Sequence, residues 1–147
     1  MKKAILLSLI SFFCLTVLNA QTIVGKWKTI DDETNKAKSV VEIYQGGDDK
    51  YYGKIIKLYR DASEDQNPLC TKCDEDGGKY NKPIIGMIII AKMEKKGNSW
   101  EKGTILDPNN GNVYDCEMEI KNGKLEVRGY LGFSFIGRTQ TWEKYTE

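Results

Sequence analysis

The sequence predicts an all-β fold: a single antiparallel up-and-down β-barrel of about eight strands with one long flap loop. Three observations carry that prediction. Side chains alternate with a period of two from Tyr114 onward, with Tyr114, Cys116, Met118 and Ile120 on one face and Asp115, Glu117 and Glu119 on the other. Asn122-Gly123 separates this run from a second alternating one, and both residues tolerate the positive φ of a tight hairpin turn. Short β-forming runs between Gly, Asn and Asp clusters recur along the rest of the chain, with no convincing amphipathic helix among them.

In chain order, residues 25–30 read as a first strand, closed by the polar turn 31–35. Residues 38–45 form a second, with Val41 and Ile43 on one face and Val40, Glu42 and Tyr44 on the other. Residues 50–59 form a third, and Gly53 within it predicts a bulge or a close backbone approach. Residues 84–93 are apolar on both faces for much of their length, and their β-branched content and Gly86 favour a buried strand. Residues 100–106 lead into the tight turn Asp107-Pro108-Asn109-Asn110-Gly111. Residues 111–120, 124–132 and 137–144 complete the set. In the return strand Leu125, Val127, Gly129 and Leu131 oppose Glu126, Arg128 and Tyr130, and Gly132-Phe133-Ser134 reads as a turn. In the last strand Arg138, Gln140 and Trp142 share a face opposite Thr139, Thr141 and Glu143.

The first twenty residues stand apart. Lys2-Lys3 precede an apolar run from Ala4 to Leu18, and Leu18-Asn19-Ala20 is an acceptable cleavage site, so residues 1–20 read as a secretory signal peptide containing Cys14. The apolar run is shorter than the ~20 residues that span a bilayer, and no second such run follows. Taking 20 from the 147 residues leaves 127, residues 21–147, which suits one domain. Without Lys2 and Lys3, 20 basic residues face 21 acidic ones, a balance that argues against nucleic acid or an anionic membrane as partner. The chain is therefore expected to be exported, periplasmic or secreted, and not membrane-spanning.

Residues 60–83 are out of scale for a loop, since connections above about 12–15 residues are uncommon and usually functional or disordered. An ordered flap or short helix is expected there, pinned by Cys70-Thr71-Lys72-Cys73. In an oxidising compartment this pair reads as a structural disulfide, with a zinc half-site and a redox pair as alternatives. Cys116 reads as a buried free thiol, with pairing to Cys70 or Cys73 as the alternative. The chain has no histidine, which removes Ser-His-Asp and Cys-His mechanisms and the usual metal ligand. Asp74-x-Asp76-Gly77 and Asp107-x-Asn109-x-Gly111 lack the full ligand run of a calcium loop and read as solvated turns. No metal, cofactor or catalytic residue is predicted.

Several stretches together resemble the secreted bacterial family catalogued as domain of unknown function 2147 (DUF2147). They are Gly25-x-Trp27, Val41-Glu42-Ile43-Tyr44, Tyr52-Gly53-Lys54-Ile55, Lys82-Pro83-Ile84-Ile85-Gly86-Met87 and Gly103-x-Ile105-x-Asp107-Pro108. They continue through Gly111-x-x-Tyr114, the run from Leu125-x-Val127-Arg128 to Gly132, and Gly137-Arg138-Thr139-Gln140-Thr141-Trp142. A more distant likeness is to lipocalin-type barrels, in which a Gly-x-Trp on the first strand meets a basic residue of the last. That likeness, carried by Gly25, Trp27 and Arg138, implies a contact between Trp27 and Arg138 at the closed end of the barrel; Trp142 is a further candidate structural residue.

The functional expectation is a small apolar or amphipathic ligand held in the barrel mouth under the flap. Arg128, Tyr130, Arg138, Gln140 and Tyr114 are the candidate ligand-binding residues, since such groups can read an anionic or sugar ligand, with ordinary barrel exterior as the alternative reading. An envelope structural or interaction module with a filled barrel and a protein partner is the second reading. A carboxylate-dependent envelope hydrolase is the third. Bulky apolar side chains throughout the interior would favour the second, and two acidic side chains facing each other in a cleft would favour the third.

Overall fold

A computed structural model describes residues 21–147, and the leader predicted over residues 1–20, with its Cys14, lies outside the described residues. Eight strands follow in order: β1 (Gly25–Ile30), β2 (Ala37–Gln45), β3 (Tyr51–Leu58), β4 (Ile88–Lys96), β5 (Ser99–Leu106), β6 (Val113–Lys121), β7 (Lys124–Tyr130) and β8 (Gly137–Lys144). Each pairs antiparallel with the next, and β1 pairs with β8, so the sheet closes into a barrel without a free edge. The predicted Asn-Gly hairpin is present, with Lys121 opposite Lys124 and positive φ at Asn122 and Gly123. Gly53 marks an irregular register between β3 and β4, where a methyl group would lie 3.1 Å from the side chains of Ile90 and Val41.

The fourth strand differs from expectation. Residues 84–87 form a turn rather than its start, because the Gly86 amide donates to the Ile55 carbonyl at 2.7 Å and the Met87 amide to the Ile84 carbonyl at 3.1 Å. Gly86 adopts a φ of 91° there, which favours glycine. The apolar run therefore serves two structures, the end of the flap and then β4, and apolarity alone does not divide them.

The interior is filled from all eight strands, and in β6 and β7 by the faces that the alternation groups together. Trp27, Val41, Ile43, Ile90, Met93, Trp100, Cys116, Met118, Leu125 and Trp142 are all buried in one cluster. Ile23, ahead of β1, is fully buried and its carbonyl accepts the Trp27 indole N–H at 2.7 Å, closing that end. Cys70 and Cys73, from the flap, are buried in the same cluster, so the flap plugs the barrel rather than hovering above it.

Candidate functional site

The barrel has two unlike ends. The N-terminal end of β1, the C-terminal end of β8 and three short turns form the closed end. The other end, the mouth, carries four connections: residues 31–36, 59–87, 107–112 and 131–136.

At the closed end the expected contact between Trp27 and Arg138 is absent. Trp27 pairs with Lys144 in the β1–β8 register, and the Lys144 ammonium lies 4.5 Å from the centroid of the Trp27 ring. Gly25 leaves room for it, since a methyl group there would sit 2.7 Å from Nζ. The reason is directional. β8 runs antiparallel to β1, so its end, not its start, reaches Trp27; Arg138 lies six residues away, roughly 20 Å along a strand.

Arg138 is instead a mouth residue. Its guanidinium grips Asp32 of the β1–β2 loop bidentately, Nε to Oδ2 at 2.5 Å and Nη2 to Oδ1 at 2.6 Å, with Glu33 at 3.3 Å. These bonds hold the Asp32 carboxyl below its ordinary pKa. Gln140 Nε2 donates to the same carboxylate at 3.4 Å, and Gln140 Oε1 accepts the Trp142 indole N–H at 3.0 Å. A polar chain therefore runs from Asp32 through Gln140 to the core indole of Trp142. Tyr114 shares a strand face with Cys116 and Met118 near the mouth, and its hydroxyl accepts from the side-chain amides of Asn110 and Asn112 at 3.2 and 3.4 Å.

Arg128 and Tyr130 lie on the opposite face of the wall, so the five candidate ligand residues divide between inside and outside. Arg128 Nε donates to the Ser134 carbonyl at 2.5 Å and Nη1 to Thr139 Oγ1 at 2.8 Å, bracing the β7–β8 loop. Beside it is an open outer cleft of about 510 Å³, lined by Ser99, Glu101, Glu117, Glu126, Arg128 and Thr139 among others. Glu119 and Glu126 do face each other across the strands there, but the Lys121 ammonium bridges them at 3.3 and 2.7 Å. Glu101 in the same cleft is held below its ordinary pKa, mainly by its hydrogen bond from Ser99. A glycosidase-type general acid needs the opposite shift.

Cys70 and Cys73 form the predicted disulfide, and Cys116 is a buried free cysteine whose thiol burial pushes up to about 12. Cys70 Sγ packs 3.6 Å from the Pro108 carbonyl oxygen of the β5–β6 turn. Among the described residues no group of His, Cys, Asp or Glu is arranged to hold a metal.

One feature of the mouth escaped the sequence reading. The β7–β8 loop, read as a simple turn, exposes Leu131 (66%), Phe133 (66%), Phe135 (77%) and Ile136 (63%). The two phenylalanine rings stack 5.5 Å apart at 19°. The available signal was an apolar cluster at a turn position, where polar residues are the rule.

The family model described as "Uncharacterized protein conserved in bacteria (DUF2147)" matches residues 25–144. The chain belongs to the DUF2147 family. Its structure is similar to that of protein HP1028 from Helicobacter pylori, described as belonging to the lipocalin family. The TM-score is 0.70 at 19% identity, over 86% of this chain and 84% of that one. No curated protein matches the chain in sequence.

This DUF2147 domain thus has a lipocalin-like barrel, and the cation over Trp27 is Lys144, not Arg138. Its interior is occupied by three tryptophans and the aliphatic and methionine side chains around them, and the open cleft beside Arg128 lies on the outer wall. The Trp100 indole N–H is the one buried side-chain polar atom without a partner among the described residues.

Proposed function

We propose that this chain is an exported, lipocalin-like binding protein that takes a small apolar or amphipathic ligand at the rim of its mouth, not deep in the lumen. The exposed loop carries the reading: four large apolar side chains stand clear of the protein at the mouth of a barrel whose own core is filled. Contiguous exposed apolar surface is a usual mark of a contact site. Arg138, Gln140 and Tyr114 offer polar atoms at the same end, and Arg128 fixes the loop through the Ser134 carbonyl. Export is supported by the basic-then-apolar first twenty residues and by the disulfide, because such bonds persist in oxidising compartments.

The filled interior also favours a second reading, an envelope interaction module whose partner is a protein docking on the same loop. Fluorescence titration with a neutral apolar probe, N-phenyl-1-naphthylamine, tests the first. Enhancement by the wild-type chain that disappears in Phe133→Ser/Phe135→Ser is the expected result. Enhancement that is absent in the wild type, or unchanged in the variant, overturns small-ligand binding at the loop. Intact mass of the exported protein is expected to begin at Gln21.

A further inference from the structure

Where the flap rejoins the barrel, an open cleft of about 420 Å³ is lined by Lys79, Lys82, Pro83, Ile85, Met87 and Ile88. Its volume falls within the range of small-ligand sites, ~300–1,000 Å³. Its composition is mixed in an informative way. Ile85 and Ile88 are each 38% exposed, so apolar surface is left facing water. Lys79 is half-buried, and burial alone lowers its pKa. Among the described residues neither Lys79 nor Lys82 has a carboxylate within ion-pair distance, as is also true of several other lysines, but Lys79 combines that with partial burial. The nearby acidic run 74–76 does not supply one; Asp74 instead accepts the Asp76 amide at 3.0 Å.

We propose that this cleft binds a small organic anion with an apolar body, its charged end between Lys79 and Lys82 and its body against Ile85, Met87 and Ile88. A partly desolvated ammonium without a counterion is unfavourable, and an incoming anion offsets that penalty. An apolar body covers the isoleucines, which removes their surface from water. A cation is repelled, and a neutral ligand leaves both ammonium groups unpaired.

The arm that carries the lysines is held before any ligand arrives. The Cys70 amide donates to the Lys82 carbonyl at 2.9 Å, the Asn81 amide to the Cys70 carbonyl at 3.0 Å, and the Ile84 amide to the Pro68 carbonyl at 3.0 Å. The Cys70–Cys73 disulfide sits at the root of these bonds, so its covalent link shapes the cleft as well as plugging the barrel. Preorganisation of this kind lowers the ordering cost of binding. The site uses none of the residues of the β7–β8 loop and stands or falls independently of it.

Amide shift mapping with calorimetry tests the proposal on the exported chain, using octanoate, octylamine, octanol and acetate as probes. Octanoate is expected to bind and to shift amides of residues 79–88, with the other three weaker by about tenfold or more. Lys79→Gln with Lys82→Gln is expected to weaken octanoate by about tenfold or more with an unchanged far-ultraviolet circular dichroism spectrum. Phe133→Ser/Phe135→Ser, which tests the rim loop, is expected to leave octanoate affinity unchanged. Four results overturn the proposal: no octanoate binding at millimolar concentration, equal binding of octanol, unchanged affinity in the lysine variant, or shifts confined to residues 131–136.

Discussion

The two ends of this barrel solve opposite problems with similar residues. At the closed end Trp27 is sealed beneath Lys144 and bonded to the Ile23 carbonyl, and the connecting turns are short. At the mouth Phe133 and Phe135 stack on each other in the open, and the longest connection folds back to plug the core with a disulfide. The same aromatic chemistry holds the fold together at one end and is left over at the other. Residues that stabilise are therefore expected at the closed end, and residues free to bind at the mouth.

Truncating the aromatics gives the largest expected contrast. Trp27→Ala and Trp142→Ala remove fully packed indoles and are each expected to destabilise by about 3–5 kcal/mol in urea unfolding. Phe135→Ala removes an exposed ring and is expected to change stability by no more than about 0.5 kcal/mol. Comparable losses at both ends would mean that the loop packs in solution and is not a free surface.

Much of this was legible in the sequence, for a definite reason. Period-two alternation groups the residues that share a side of the wall where a strand is regular, and Cys116, Met118, Leu125 and Val127 are buried together as read. Alternation says nothing about how far along a strand its partner sits. Closure of β1 on β8 is set by a register between residues over a hundred positions apart, so Trp27 was matched to the wrong cation. The start of β4 was misplaced because residues 84–87 are as apolar as the strand that follows. The flap cleft depends on a turn returning Lys79 and Lys82 beside Ile88, which no local pattern encodes.

The seating of the flap offers the next contrast. Gly111 has a φ of 77°, and a methyl group there would lie 1.7 Å from the Lys72 carbonyl oxygen. Gly111→Ala must therefore displace the Cys70–Cys73 turn from the β5–β6 connection. A loss of about 1–3 kcal/mol is expected, typical of overpacking. Amide exchange should accelerate in residues 68–84 while the closed-end strands keep their protection. Uniform acceleration would mean that flap and barrel unfold as one unit.

A smaller effect distinguishes the two cations of β8. Lys144 over Trp27 is expected to contribute about 0.5–2 kcal/mol by cation–π attraction. Trp27→Leu and Lys144→Met should then be non-additive by more than about 0.5 kcal/mol, whereas Trp27→Leu and Arg138→Met should add within that margin. The reverse pattern would restore Arg138 to the closed end and contradict the strand register.

The smallest effect belongs to the mouth and depends on pH. Arg138 holds Asp32 below its ordinary pKa, and Glu33 and Asp31 share the same loop. Asp31 is also lowered, chiefly by the Thr34 hydroxyl. A carboxyl whose folded pKa is depressed contributes stability that is present above its unfolded pKa, near 3.9, and is lost as pH falls through the folded value. Both partners are partly exposed, so the contribution is at most about 1 kcal/mol despite the bidentate geometry. Asp32→Asn is expected to cost that amount at neutral pH and nothing once the wild-type carboxyl is protonated, so the two unfolding curves should converge in acid. Added salt should narrow the gap at neutral pH, since the pair is near the surface. A gap for Asp32→Asn that ignores both pH and salt would mean that Asp32 shapes the β1–β2 loop through hydrogen bonds alone, and that charge does not tie that loop to β8.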